Sequence, residues 1–415
     1  MAKSDTKRDF KGRPLRKGEL QRKSDLRYQY TYTDPYGHRK YIYDKDLMEL
    51  RRKEDELKRD QLDGLDIYAA GRATIDFTFN RYMSTRSDLK GSTQANYWYT
   101  YDRYIKDDLG SKRIVDLKHS DILQFYYYLM KERKLSYNTL ENVHGIIHPI
   151  FDLAVMDDII RRNPSDKIMG KISKREGVEI IPKKALTVEE QRAFKEYVAS
   201  SPTYYHWWPI FTVLFGTGMR IGECIGLRWE DIDLEKRRIS VNHSLTYYTD
   251  RKTGECRLRV STPKTKAGIR TIPMMSSVKD AFEVEKELQL DGKGLNTTVI
   301  DGMSGFIFQN RDGGCLTAAD VNRAIKRIYR DYNAEEILKA KREKREPIII
   351  PHFTCHICRH TFATRLCEVE DNPKVIQSIL GHKSVVTTFD IYTDPSDRRN
   401  EKSFDKLVDR WNDAF

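Results

Sequence analysis

Cysteine is scarce in this chain, with six residues in 415 (Cys224, Cys256, Cys315, Cys355, Cys358 and Cys367). Such a density is unlike a disulfide-stapled secreted domain, so reduced thiols are expected. Cys355 and Cys358 form a CxxC with His356 and His360 close by, which raises the question of zinc. Four tetrahedral ligands do not assemble well from one helical turn, and no second CxxC follows. Two small side chains filling a core helix is the better reading. Long apolar runs are missing too: mean hydropathy is −0.69, and no stretch approaches the roughly 20 apolar residues of a spanning helix. The N-terminal MAKSDTKRDFKGRP is charged but has no apolar run behind it, unlike a secretory signal. Internal repeats and low-complexity tracts are likewise missing. These absences point to a protein that works in the cytoplasm, away from membranes.

What is present is length and positive charge. A chain of 415 residues suggests two to three domains. Lys and Arg number 74 against 62 acids, a formal +12, which favours a polyanionic partner without separating DNA from RNA or an anionic membrane. Met1 to Arg27 holds ten basic residues against four acids and is expected to be a mobile arm. LRYQYTYTDPYGHRKYIY then alternates aromatic and β-branched residues around a Pro-Tyr-Gly turn, as a hairpin does. KDLMELRRKEDELKRDQLDGLD, with Leu47, Leu50 and Leu57, predicts an amphipathic helix ending near Gly64. A small ribbon of this kind fits the DNA major groove; a solvated domain with basic residues for solubility fits the local sequence equally well.

From Thr74 to Ile172 the apolar spacing is helical throughout, with Ser92 or Thr93, Ser120 and Ser136 at cap positions and Asn163-Pro164 closing the last helix. Its many tyrosines read as core and boundary side chains. Ser173 to Lys184 is polar, carries a proline and predicts a linker. A second unit opens at Leu186, where Thr187 and Glu190 make a capping box.

Within that unit Gly216-Thr217-Gly218 precedes Arg220 and Glu223, whose spacing places them on one helical face. A guanidinium in apolar sequence needs a partner, and Glu223 could orient Arg220 toward a ligand or simply pair with it. RRISVNHSLTYY, CRLRVSTPKT and GIRTIPM predict an antiparallel sheet, with Lys264 and Lys266 at a hairpin tip. Lysines at a turn are ordinarily solvent-facing, yet one there could reach a DNA groove and give a proton to a departing oxygen. His356, Arg359 and His360 fall on one helix, where the arginine suits an anion better than a metal. DNPKVIQSILGHKSVVTTFDIYTD predicts an amphipathic helix capped by Gly381, then His382 and Tyr392.

GTGMRIGECIGLRWEDID, HICRHTFATRL and ILGHKSVVTTFDIYT closely resemble the boxes of the tyrosine recombinase family, the phage-type integrases, in the family's order. The family signature is Arg, Lys, His-x-x-Arg, His or Trp, and Tyr. The resemblance implies that Arg220 and Arg359 clamp the nonbridging phosphate oxygens and that Glu223 holds the first of them. Tyr392, one of 24 tyrosines but ten residues after His382, is implied as the nucleophile, forming a 3′-phosphotyrosine and releasing a 5′-hydroxyl. Lys264 is the implied general acid, or Lys266 if the hairpin is one residue shorter. His356 is implied as acid/base partner or phosphate donor, His382 as a hydrogen bond to the phosphate, and His360 as support. No cofactor and no metal are implied, since side chains supply the cations and the bond energy is stored covalently.

The wider layout is similar to integrases of conjugative transposons. It implies a mainly α, multidomain fold with small antiparallel β-sheets: a basic arm-type DNA-binding domain (1–72), a helical core-binding domain (73–174), a mixed α/β catalytic domain (175–396) and a tail helix (397–415). Its implied function is integration and excision of a mobile element through a Holliday junction. The implied partners are double-stranded DNA at core-type and arm-type sites, a homotetramer built on it, and a small accessory protein in excision, within the bacterial cytoplasm and nucleoid. Phe404, Leu407, Val408 and Trp411 in the tail have helical spacing suited either to folding back on their own domain or to docking on a neighbouring protomer, with the neighbour the favoured reading. A type IB topoisomerase and a catalytically silent DNA-binding regulator are the rival readings. The N-terminal hairpin and the intact residue set argue against both.

Overall fold

The computed structural model describes residues 7–33, 39–62, 73–177, 184–251, 253–263, 268–292 and 294–381. It divides into two compact units, Met1–Ile180 and Ile181–Phe415. The fold is mainly α with small antiparallel sheets, as expected.

In the first unit, strands β1 (Glu19–Gln21), β2 (Tyr28–Thr33) and β3 (Arg39–Asp44) form one antiparallel sheet. Tyr28 and Tyr30, two apart on β2, turn to the same face and meet Leu47, Leu50 and Leu57 of helix α1 (Leu47–Leu62). The expectation of a mobile arm is corrected for residues 7–27. Leu15 enters this core and β1 belongs to the sheet. The acids in the arm fasten it: Asp9 accepts from the Arg13 amide at 2.7 Å and the Tyr28 hydroxyl at 3.0 Å, and Glu19 pairs with Arg51 at 2.9 Å.

Helices α2 (Ile75–Thr85), α3 (Gly91–Tyr104), α4 (His119–Lys131), α5 (Tyr137–Met156) and α6 (Ile168–Glu176) follow. Their tyrosines largely serve the core: Tyr101 stacks on Phe79 with centroids 3.7 Å apart, and both Tyr101 and Tyr126 are buried. Ser136 caps α5 as expected. Ser92, Thr93 and Ser120 do not act as caps, because α3 and α4 start one turn or less earlier, behind Lys90 and Lys118. At α4 the Asp121 carboxylate takes over the task, accepting from the Lys118 amide at 2.8 Å. Asn163-Pro164 does not close a helix either. α5 ends at Met156, and Asn163 sits in the turn beyond, donating to Asp152 at 2.7 Å. The linker expected from Ser173 is helical through Glu176, where Gly177 at φ 57° ends α6.

In the second unit Thr187 and Glu190 make the predicted capping box on α7 (Val188–Ser200). Helix α8 (Trp208–Thr217) is apolar on every side and accordingly lies in the core, together with Phe194, Phe282, Phe306 and Phe353. The predicted single sheet is two: β4 (Ile232–Asp233), β5 (Arg238–Val241) and β8 (Arg270–Pro273) pair in the order β4-β5-β8, while β6 (Ser244–Thr249) and β7 (Cys256–Ser261) form a separate hairpin. The division falls at Asn242-His243, where the buried His243 ring meets the Gly226 carbonyl at 2.6 Å and turns the chain out of the first sheet. Helices α10 (Ser276–Asp291), α11 (Ala318–Glu343), α12 (Cys355–Val369) and α13 (Pro373–Leu380) complete the described part. Among the described residues no helix is long and apolar enough to cross a membrane.

Candidate active site

Arg220 does not share a helical face with Glu223 in the manner its spacing suggested. It stands at the N-cap of the short helix α9 (Ile221–Ile225), in extended conformation, and Glu223 folds back on it. One Glu223 oxygen accepts from the Arg220 amide at 2.9 Å and the other from its Nη1 at 2.9 Å. The guanidinium is therefore oriented by a carboxylate, while 45% of the Arg220 side chain stays exposed. An exposed yet oriented arginine is equipped to meet an anion.

His356, Arg359 and His360 lie on α12 as predicted, but their exposure differs. His356 is exposed, His360 is half-buried, and Arg359 is 5% exposed. Arg359 donates from Nη1 to the Gly218 carbonyl at 2.9 Å and from Nη2 to the Leu380 carbonyl at 2.8 Å. Gly218 ends α8 at φ 63°, and a Cβ there would lie 2.3 Å from Phe362 Cδ1. Only glycine meets both conditions, and the conformation aims its carbonyl at Arg359. Burial, and then the neighbouring Arg220 charge, push the Arg359 guanidinium below its ordinary pKa. A bound anion would relieve that excess of positive charge.

Cys355 and Cys358 are buried free thiols, in keeping with the structural reading of the CxxC. Burial pushes Cys355 up to about 12, which leaves it protonated at neutral pH. His148, Asp152 and Asp166 come close enough to share a cation, but they belong to the first unit, where His148 hydrogen-bonds to Ser165 and Asp152 accepts from Asn163.

A residue that sequence reasoning missed stands at the centre of the second unit's polar cluster. Arg270, on β8, is buried and makes a two-pronged contact with Glu223, Nη2 to Oε2 at 2.8 Å and Nη1 to Oε1 at 3.2 Å. Hydrogen bonds from Arg270 and the Arg220 amide outweigh the cost of burial and hold the Glu223 carboxyl below its ordinary pKa. The signal was available: Ile272 points inward on a strand, so Arg270, two residues earlier, must also point inward and be paired.

The arginines also meet at the end of α13. Arg270 Nε donates to the Ile379 carbonyl at 2.8 Å, Arg359 to that of Leu380 at 2.8 Å, and Arg220 Nη2 to that of Gly381 at 3.3 Å. Those carbonyls have no partner within their own helix, and the negative end of the helix dipole favours the cations. Gly381, at φ 67°, caps the helix as predicted. Lys264, Lys266, His382 and Tyr392 lie outside the described residues. The residues flanking the lysines approach closely, since a Cβ on Gly268 would stand 2.5 Å from Pro263 Cβ.

A cleft of about 1100 Å³ elsewhere in the unit is lined by Trp207, Glu285, Gln289, Phe308, Arg327 and Arg330, among others, and by none of these site residues.

Residues 184–399, just over half of the chain, match the family described as Phage integrase family. The chain belongs to the phage integrase family. Residues 3–61 match the DNA binding domain of Tn916 integrase, and residues 78–161 the N-terminal SAM-like domain of phage integrases. The recombinase is 32% identical over 402 residues to the transposase from transposon Tn1545 of Streptococcus agalactiae, covering 94% of this chain and 93% of the relative. It is 31% identical to the transposase from transposon Tn916 of Enterococcus faecalis, with the same coverage. The solved Tn1549 transposon integrase in complex with transposon right end DNA superposes with a TM-score of 0.69 at 30% identity, covering 81% of this chain and all of that one. The recombinase is thus an enzyme of site-specific DNA recombination and integration acting through a phosphotyrosine, and it resembles the integrases of conjugative transposons.

Proposed function

We propose that the recombinase cuts one DNA strand at a time by attack of the Tyr392 hydroxyl on the scissile phosphate, with Arg220 and Arg359 meeting the charge that develops. The observation that carries this reading is the convergence of both guanidiniums on the last turn of α13, immediately before His382 in the chain. Tyr392 gives its proton to His356, the acid/base partner, and bonds to phosphorus, and the bond to the 5′-oxygen breaks, leaving a 3′-phosphotyrosine and a 5′-hydroxyl. The negative charge of the phosphorane spreads over the nonbridging oxygens, where fixed cations lower the barrier more than they favour the ground state. Lys264, with Lys266 as the alternative, gives the proton to the departing oxygen. His382 hydrogen-bonds the scissile phosphate. Rejoining is the same path in reverse, with the 5′-hydroxyl of another strand as nucleophile.

At the scale of domains, residues 1–72 bind arm-type sites, 73–174 and 175–396 bind and cut core-type sites, and 397–415 dock on a neighbouring protomer. Four copies on two duplexes exchange strands through a Holliday junction to integrate and excise a mobile element, with a small accessory protein in excision. Support comes from the match to a Tn916 integrase DNA-binding domain and from the Tn1549 integrase, solved on transposon end DNA.

The test is a nicked duplex built from the end of the encoding element, incubated with the full chain and run on a denaturing gel. A protein–DNA adduct is expected with the native chain and none with Tyr392→Phe. An adduct that survives the substitution would refute the assignment of the nucleophile.

A further inference from the structure

We propose that Arg270 is a positioning residue for cleavage: it locks Glu223 to the last turn of α13 and so fixes Arg220 and Arg359 relative to one another before DNA arrives. The inference rests on the proposed site and adds a residue to it.

The geometry of the donors makes the case. Arg270 directs Nη1 and Nη2 to the two oxygens of Glu223 and Nε to the Ile379 carbonyl, while Nη1 also lies 3.4 Å from the Gly268 carbonyl. Its Nε, Nη1 and Nη2 are all committed to the Ile379 carbonyl and the two Glu223 oxygens, so it is not placed to touch a phosphate. Its reach is through other groups. The carboxylate it grips is the one that holds Arg220 by both amide and guanidinium. The helix end it grips offers its next two carbonyls to Arg359 and Arg220. Gly268, two residues before it, closes the segment that contains Lys264 and Lys266. One side chain therefore ties β8, the first-arginine turn and the helix that leads to His382.

Three guanidiniums around one carboxylate also leave the cluster with surplus positive charge. A lysine at 270 would keep the charge count but has no planar fork, so it could not hold both carboxylate oxygens and a carbonyl at once. The part that Arg270 plays is then separable from its charge.

The full chain carrying Arg270→Lys should cleave a nicked duplex of the element end about 30- to 100-fold more slowly in single turnover, the scale of a roughly ångström-sized misplacement. Its DNA affinity, by mobility shift, should stay within about threefold of the native chain, because the loss falls on the transition state. Adding Glu223→Gln should slow the reaction no further than the slower single variant, since both changes break one link. An uncharged methylphosphonate at the scissile position should narrow the gap between native chain and Arg270→Lys, because less charge is left for Arg220 and Arg359 to meet. If Arg270→Lys melts below the assay temperature, Gly381→Ala disturbs the other end of the link and should give the same split between cleavage and binding. A folded Arg270→Lys that cleaves within about threefold of the native rate, or losses that multiply in the double variant, would overturn the inference. An adduct surviving Tyr392→Phe would instead sink the reading of the nucleophile and leave the Arg270 result standing on its own.

Discussion

Glu285 shows how a single side chain can work against the stability of its own unit. It lies on α10, buried beside Gln289 in the cleft lined by Arg327 and Arg330. Burial pushes its carboxyl up from 4.5 to about 7, with only the Gln289 hydrogen bond opposing. Between those two values the native chain binds more protons than the unfolded one, so stability falls as pH rises toward and through about 7. Glu285→Gln removes the titration and keeps the shape. The variant should therefore gain more in Tm at pH 8 than at pH 5, read by thermal denaturation; an equal shift at both would show that the carboxyl is not the cause. Glu223 has the opposite sign: its folded pKa is lowered, so its contribution is present above the ordinary carboxylate value and fades as pH drops through the folded one. Acidification should thus loosen the arginine cluster first at Glu223.

At the scale of elements, short pieces end where backbone geometry demands. Gly218 ends α8 at φ 63° with Phe362 pressed against it, whereas Gly254, at φ 71°, has open space around it. Gly218→Ala should cost about 2 to 4 kcal/mol, the sum of a left-handed alanine and an overpacked contact, and Gly254→Ala only about 1 kcal/mol. Equal losses in denaturant titrations of the two would mean that packing against Phe362 adds nothing. The elements also mark how far the sequence could be read. The capping box at Thr187, the leucine stripe of α1 and the Gly381 cap follow from local chemistry and were legible. The two-sheet split was not, because it depends on His243 reaching Gly226, a contact set by tertiary structure. The fastening of the basic arm was missed for the same reason, since composition reports its net charge and not the partners of Asp9 and Glu19. Among site residues, the boxes gave Arg220, Glu223, His356 and Arg359, whose neighbourhood the fold describes. Arg270 was passed over as ordinary strand sequence, although its inward register marked it.

For the whole molecule, the excess of 74 basic over 62 acidic residues has a measurable consequence. Much of the charge within the units is already paired, as Arg51 with Glu19 and Arg345 with Glu336. The surplus is what a polyanion meets, and each phosphate contact made by Lys or Arg releases counterions. DNA binding by the full chain should weaken steeply with salt, with a log–log slope of about −0.9 per phosphate contact on duplex DNA. A chain lacking residues 1–62 should show a shallower slope on a duplex carrying both arm and core sites, and an unchanged slope would place those contacts elsewhere.

The last turn of α13 imposes a rule on how this part of the gene can change. Each added or lost residue would turn the terminal carbonyls by about 100° around the helix axis, away from the arginines that hold them. Lys374, Val375 and Ser378 are exposed on the helix surface, so their identities are loosely constrained. The eight-residue count of Pro373–Leu380 is not. Related chains should therefore tolerate substitution along this helix far more readily than insertion or deletion, and a length change here is the alteration most apt to separate a chain that still binds DNA from one that still cuts it.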